Sequence, residues 1–218
     1  FSNDNHLATI VLGDGEESSI VLTPARMTSL VDALQEVHTK RPKGLVIRAP
    51  SPTSFCVGAD ISLIQNVTDP AEGAKLATQG QDAYNLLEDL PCTTVAAIGG
   101  PCVGGGCELA LACDYRILSD SAHTTIGLPE TKLGILPGFG GTYRLPRLVG
   151  LPSALDIILA GKILKGNRAL KVGLADALVA EASLYDYAQE VALGLVVPPK
   201  QKMSLQRLMT TNLSVGRK

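Results

Sequence analysis

From Leu90 to Cys113 the chain carries a single charged side chain, Glu108. Its neighbours there are Val, Ala, Leu, Ile, Cys, Thr, Pro and Gly, with no polar face at the helical or the strand period. A run that is apolar on all sides is usually buried. A carboxylate inside it loses its hydration, which is costly unless the group is paired or hydrogen-bonded. Immediately before it stand Gly104, Gly105 and Gly106. Such residues let backbone approach a ligand closely and leave N–H groups exposed at a helix start. A lone acid beside exposed amide donors is read as a functional site. The structural alternative, a carboxylate held by backbone amides for stability alone, weighs equally on composition.

The rest of the composition bounds that reading. With 218 residues, 45% hydrophobic and 18% charged, the chain suits one medium globular domain with a sizeable core. A net charge of −2 leaves no nucleic-acid footprint at the level of the whole chain. The five cysteines, Cys56, Cys92, Cys102, Cys107 and Cys113, form no C-x-x-C pair and read as small buried hydrophobes in a reducing compartment. No apolar run reaches the roughly 18 residues of a membrane span, and no signal-peptide pattern opens the chain. Phe1 is not an initiator Met, so a trimmed start is expected, with the cytoplasm, or an organelle matrix after loss of a transit segment, as the address.

Periodicity and punctuation predict an α/β order of elements. Leu7 to Leu12 and Ile20 to Leu22 read as two strands around the turn Gly13-Asp14-Gly15. Thr23-Pro24 opens a helix with Met27, Leu30, Val31 and Leu34 on one face. Leu45-Val46-Ile47 is a strand buried on both faces, and a turn-rich loop from Ser51 runs into a helix capped by Asp60. Asp69-Pro70-x-Glu72 opens a long helix to about Leu90, with Gly73 and Gly80 inside it. Strands follow at Thr93–Ile98 and Tyr115–Leu118, on either side of the Glu108 helix. A second glycine-rich loop, Leu136 to Gly141, feeds a helix to about Leu148. Helices near 152–160, 166–173 and 184–195, with a strand at 176–179, precede Pro198-Pro199. Beyond that boundary Met203, Leu205, Leu208 and Met209 suggest one more helix in need of a partner.

Glu130 is the second candidate. Pro129-Glu130 reads as an ordinary helix start, where an acid suits the dipole, but it sits between two glycine-bearing loops in a charge-poor stretch. Were both acids to face one pocket, repulsion and desolvation would raise at least one pKa and make a proton donor near neutral pH. Gly58-Ala59 and Gly104 to Gly106 each precede a helix and could each aim an amide at one oxygen, forming an oxyanion hole, although isolated glycine patterns are weak signals.

The segments Ser54 to Ile61, Gly104 to Cys113, Gly127 to Thr142 and Leu155 to Leu174 together resemble the crotonase (enoyl-CoA hydratase/isomerase) superfamily, with similarity over about Leu7 to Val197. Within it the resemblance is closest to the hydratase half of the multifunctional α subunits of fatty-acid oxidation. It implies a crotonase (ClpP/crotonase-like) spiral of ββα units with C-terminal helices over residues 1–198. Residues 199–218 would then begin a connector helix toward a dehydrogenase part. Neither glycine cluster makes a dinucleotide fingerprint, so dehydrogenase activity is not expected of this stretch.

The same resemblance implies the roles. The amides of Ala59 and Gly105 would hold the thioester oxygen of a 2-enoyl-CoA. Glu108 would activate water for attack at C3, Glu130 would exchange the proton at C2, and the Gly138 amide would help to hold the water. Ser54, Phe55, Cys56, Val57 and Asp60 would line the coenzyme A moiety, which is part of the substrate, with no separate cofactor and no metal. Homo-oligomerisation of trimer type, or membership of a fatty-acid-oxidation complex, is expected, with no nucleic-acid partner and no membrane span. Δ3-Δ2-enoyl-CoA isomerisation is the second activity the resemblance implies. Three rivals stand beside this reading: another acyl-CoA enzyme of the same fold, a hydrolase using Cys107 with His123, and a non-catalytic binding module using Lys162, Lys165, Arg168 and Lys171.

Overall fold

The computed structural model of the chain describes residues 2–3, 6–15, 17 and 19–199. Leu45-Val46-Ile47, too short an apolar run for a helix, is the centre of strand β3 (Gly44–Arg48). It lies in a sheet ordered β1-β2-β3-β4-β6-β9, with β1 (Ser2–Asn3), β2 (Leu7–Val11), β4 (Thr93–Ile98), β6 (Tyr115–Ser119) and β9 (Ala177–Val179). All pairings are parallel except that of β1. Parallel strands need cover on both faces. On one face helix α8 (Leu184–Ala192) packs Leu184, Ala188 and Val191 against Val46, Val95 and Ile117. On the other, Leu45, Ile47, Ala96 and Ile98 enter the main core with α1 (Pro24–Lys40) and α3 (Pro70–Glu88).

A second, smaller sheet orders β5 (Pro101–Val103), β7 (Thr125–Gly127) and β8 (Ile163–Lys165). The chain passes from β4 through β5 into α4 (Gly105–Ala112), then from β6 through β7 into a 3-10 turn, Glu130–Leu133. These are successive ββα units, as the resemblance implies. Helices α5 (Gly141–Val149), α6 (Leu151–Leu159) and α7 (Gly166–Val172) complete that side.

The helix starts form where capping chemistry places them. Thr23 Oγ1 accepts from the Arg26 amide, Asp69 Oδ1 accepts from the Ala71 amide at 2.9 Å, and Asp60 Oδ1 accepts from the Ser62 amide at 2.9 Å to open α2 (Ile61–Gln65). Gly73 and Gly80 do not interrupt α3, which ends at Glu88. One expectation fails. Ile20–Leu22 is not a strand paired with β2. The Leu22 amide donates to Gly58 O and the Val57 amide to Ile20 O, both bonds running to the loop before α2. Buried Ile20 and Leu22 hold it there. The three strands of the smaller sheet are absent from the periodicity reading, because three residues are too few to show a period. The helix expected around Met203 to Met209 lies outside the described residues.

Arg116 anchors the far end of α4. Its buried guanidinium donates to Cys113 O at 2.7 Å and to Asp114 O and Leu174 O, and it is paired with Asp176 at 2.5 Å. Arg116→Met should therefore destabilise the fold by roughly 3 kcal/mol, since it strands helix-end carbonyls and a carboxylate together. A thermal melt that moves by less than about 2 °C would contradict this.

Candidate active site

Segments from several parts of the chain converge on Glu108, through backbone pairing and, at Phe139–Gly141, through side chains. Gly58, at φ +99°, takes a left-handed turn that a side chain would oppose; a Cβ there would also sit 3.0 Å from the Gly105 nitrogen. The Val103 amide donates to Cys56 O at 3.1 Å, tying the same loop to the entry of α4. Gly106 has no room for a Cβ, which would fall 2.1 Å from Cys56 O. These contacts bring the Ala59 and Gly105 ends of their helices side by side. Helix α4 has no side-chain cap, and among the described residues neither the Ala59 nor the Gly105 amide donates a hydrogen bond. Both donors remain available to a ligand oxygen.

The β5–β7 register brings in Glu130. Val103 faces Gly127, and the Gly104 amide donates to Gly127 O at 3.1 Å. A Cβ on Gly104 would lie 3.6 Å from Glu130 Oε1. One turn further, the Glu108 amide donates to Gly104 O, so the two acids flank the same turn of backbone.

The acids are buried differently. Glu108 is 2% exposed, and its Oε1 accepts from the Phe139 and Gly141 amides, each at 2.8 Å. Glu130 is 8% exposed, and neither of its carboxyl oxygens has a hydrogen-bond partner. Burial pushes the Glu108 pKa up to about 7, with the Glu130 charge adding to the rise while the Gly141 and Phe139 amides and Arg144 oppose it. Burial raises Glu130 too, opposed only in part by its own amide, whose approach falls short of hydrogen-bond geometry. Burial thus holds both carboxyls above their ordinary range, and the two amides of the clamp favour the ionised form of Glu108, a support Glu130 lacks.

Sequence reading missed the amide clamp. The amides reaching Glu108 are those of Phe139 and Gly141, and the neighbouring Gly138, expected to help hold the water through its amide, has its carbonyl accepting from Gln81 Nε2 at 2.8 Å. Sequence reading also passed over Tyr84, whose buried hydroxyl donates to Gly105 O at 2.7 Å and whose ring meets Phe139 edge-on at 5.7 Å. A tyrosine on the apolar face of a long helix carries no signal that separates it from core.

The residues expected along coenzyme A divide. Ser54, Val57 and Asp60 are half-buried at the surface of their loop. The Phe55 and Cys56 side chains point into the core, and the Cys56 carbonyl and Val57 amide are already bonded within the protein. A cavity of about 380 Å³ between β2 and α1 lies apart from both acids and shares with the site only Leu22, which packs against Gly105. Among the described residues no group of three or more His, Cys, Asp or Glu is placed to hold a metal.

The geometry weighs against a cysteine hydrolase. Cys107 is wholly buried with its thiol pushed well above its usual pKa, and His6, His38 and His123 are exposed. The basic positions form a solvated surface, with Lys162 bound to Asp156 at 2.6 Å.

The enoyl-CoA hydratase/isomerase family profile matches residues 4–216. The chain belongs to the enoyl-CoA hydratase/isomerase family. A fatty acid oxidation complex subunit alpha from Aliivibrio fischeri is 47% identical over 193 residues, which cover 88% of this chain and 28% of that protein. The chain thus spans less than a third of that relative's length. Among solved structures, an enoyl-CoA hydratase from Bacillus anthracis superposes with a TM-score of 0.79 at 32% identity, covering 88% of this chain and 74% of that one. The human mitochondrial delta3-delta2-enoyl-CoA isomerase gives 0.79 at 30%, covering 89% and 75%. The α/β spiral is therefore the fold this family shares. No helix among the described residues is long and apolar enough to cross a membrane.

Proposed function

We infer that this family member adds water across the 2,3 double bond of a 2-enoyl-CoA thioester. The observation that carries the reading is the pair of buried carboxyls, one clamped by amides and one unpartnered, flanking a turn that offers free N–H donors. The thioester oxygen accepts from the Ala59 and Gly105 amides, which stabilise the enolate-like charge that grows on it as water attacks C3. Glu108 takes the proton from that water, and Glu130 delivers its own to C2. One such oxyanion donor is worth about 3 kcal/mol and one general acid or base ~10²–10⁴ in rate, which suits the task. Coenzyme A belongs to the substrate, and no separate cofactor enters the scheme.

Loss of the conjugated-thioester absorbance of crotonyl-CoA tests the proposal. The expected result is turnover by the 218-residue chain and a rate at least tenfold lower in Glu130→Gln. An inactive wild type, or an undiminished variant, defeats it. The pH profile is a second expected outcome. Glu108 serves as base only when ionised, so kcat should fall as pH drops through about 7. A rate that is flat from pH 8 to pH 5 would remove Glu108 from that role.

The likeness to a Δ3-Δ2 isomerase supports isomerisation as a second activity, with Glu130 moving the proton between C2 and C4. Leu151, Leu155 and Leu159, exposed along one face of α6, suit assembly as a homo-oligomer or docking within a fatty-acid-oxidation complex, which sedimentation reads directly. Residues 199–218 fit the connector to a dehydrogenase part, given how little of the longer relative the chain spans. The free buried thiols suit a reducing address, the cytoplasm or an organelle matrix.

A further inference from the structure

Arg144 is a buried cation with no place in the scheme above. It projects from α5, 6% exposed, back across the loop that precedes its own helix. Its Nη1 donates to Phe139 O at 3.1 Å, its Nη2 to Asn85 Oδ1 at 2.6 Å, and its Nε to Glu88 Oε2 at 2.8 Å. Asn85 and Glu88 stand one turn apart on α3. The guanidinium thus ties α3 to the Phe139–Gly141 segment, whose two amides hold Glu108 Oε1. Gln81, a turn earlier on α3, fastens the same loop through Gly138 O.

We propose that Arg144 is the positioning residue for Glu108, fixing through the Phe139 carbonyl the two amides that aim the carboxylate, and that Glu88 sets how much of the Arg144 charge that carboxylate feels. The role assigned to Glu108 is that of the hydration reading, but its orientation and titration are measurable without turnover. The groups facing it are few. Glu130 adds negative charge and Arg144 positive charge. Tyr84 and Cys107 are held neutral by burial. Glu88 lies behind Arg144 and is half exposed, so its influence arrives through Arg144 and is partly screened.

This arrangement gives two substitutions opposite signs. In Arg144→Gln the cation is gone, Glu108 holds its proton more tightly, and the acid limb of the hydration profile moves to higher pH. The loosened loop lowers kcat by roughly 10²-fold, as a displacement of about 1 Å would, with KM little changed. In Glu88→Gln the Arg144 charge loses its counter-ion but keeps Asn85 and Phe139 O, so the limb moves to lower pH. Arg144→Lys restores the charge but not the fork, so the limb returns toward the wild-type position while kcat recovers only in part.

Carbon-13 titration of the Glu108 carboxyl, assigned by its loss in Glu108→Gln, reads the same shifts without substrate. Opposite displacements in Arg144→Gln and Glu88→Gln uphold the proposal even if crotonyl-CoA is not hydrated, in which case the activity assignment alone falls. A Glu108 titration that is unmoved in both variants, or moves the same way in both, overturns it whether or not crotonyl-CoA is hydrated. Should Arg144→Gln fail to fold, Glu88→Gln decides by its sign, because that carboxylate is half in solvent and its loss leaves the loop anchored.

Discussion

Glu108→Gln should lose most of its crotonyl-CoA hydration, a fall in kcat of ~10²–10⁴, and yet melt at a higher temperature than the wild type above neutral pH. Both effects come from the same burial. The amide oxygen of glutamine still accepts from Phe139 and Gly141, so the loop keeps its anchor. What disappears is the charge. In the folded chain the Glu108 pKa is raised from 4.5 to about 7, so the folded state binds a proton that the unfolded state has released. The stability this acid contributes is complete below about 4.5 and is lost as pH rises through about 7. Above that the ionised acid destabilises the fold by roughly 3 kcal/mol, a burden the amide does not carry. The melting temperatures should coincide in acid, separate as pH rises from about 4.5 to about 7, and stay apart above that. A variant that is active within tenfold of wild type, or less stable at pH 8, would contradict both halves. Combining the change with Glu130→Gln should cost less than the product of the two losses, because the acids act as one unit.

The second large effect lies on the backbone. Gly105 opens α4, where a helix tolerates proline because the first amide has no partner inside the helix. Gly105→Pro therefore deletes one N–H and leaves the rest of the helix in place. The expected loss is 10²–10³ in kcat, or about 3–4 kcal/mol of transition-state stabilisation. Gly105→Ala is the control. Its methyl would meet Leu22 Cδ1 and Phe139 Cδ2 at 3.3 Å, flexible side-chain ends that must give slightly, but it keeps the donor. Alanine near wild type with proline strongly impaired assigns the effect to the amide. Equal impairment in the two would show that crowding, and not the oxyanion, decides the rate at this position.

Much of this architecture is legible locally. Thr23, Asp60 and Asp69 cap their helices with the hydroxyl and carboxylate oxygens that local chemistry supplies. The strands β3 and β4 are buried runs flanked by punctuation, and Glu108 is conspicuous for being charged where nothing around it is. Glu130 is harder to see. A proline followed by an acid opens many helices, and only the absence of any partner for its buried carboxyl sets this one apart. The partner of Ile20–Leu22 is not legible locally, because extended residues reveal their pairing only through the segment they meet, here the loop at Val57–Ala59. Phe139 and Gly141 carry no local mark of the site, since they contribute backbone amides that any residue type could supply, and Arg144 carries none because only the fold brings its guanidinium to the Phe139 carbonyl.

The sequence by itself determined which side chain would be buried with a charge, where the glycines would free backbone donors, and the alternation of strands and helices, because each depends on neighbours within a few residues. Only the tertiary structure decided that Glu130 meets the Glu108 turn, through the Val103–Gly127 pairing, and that Phe139 and Gly141 clamp the carboxylate. Those contacts join residues far apart in the chain, and their energies turn on tenths of an ångström in sheet register and loop path, which local preference does not encode.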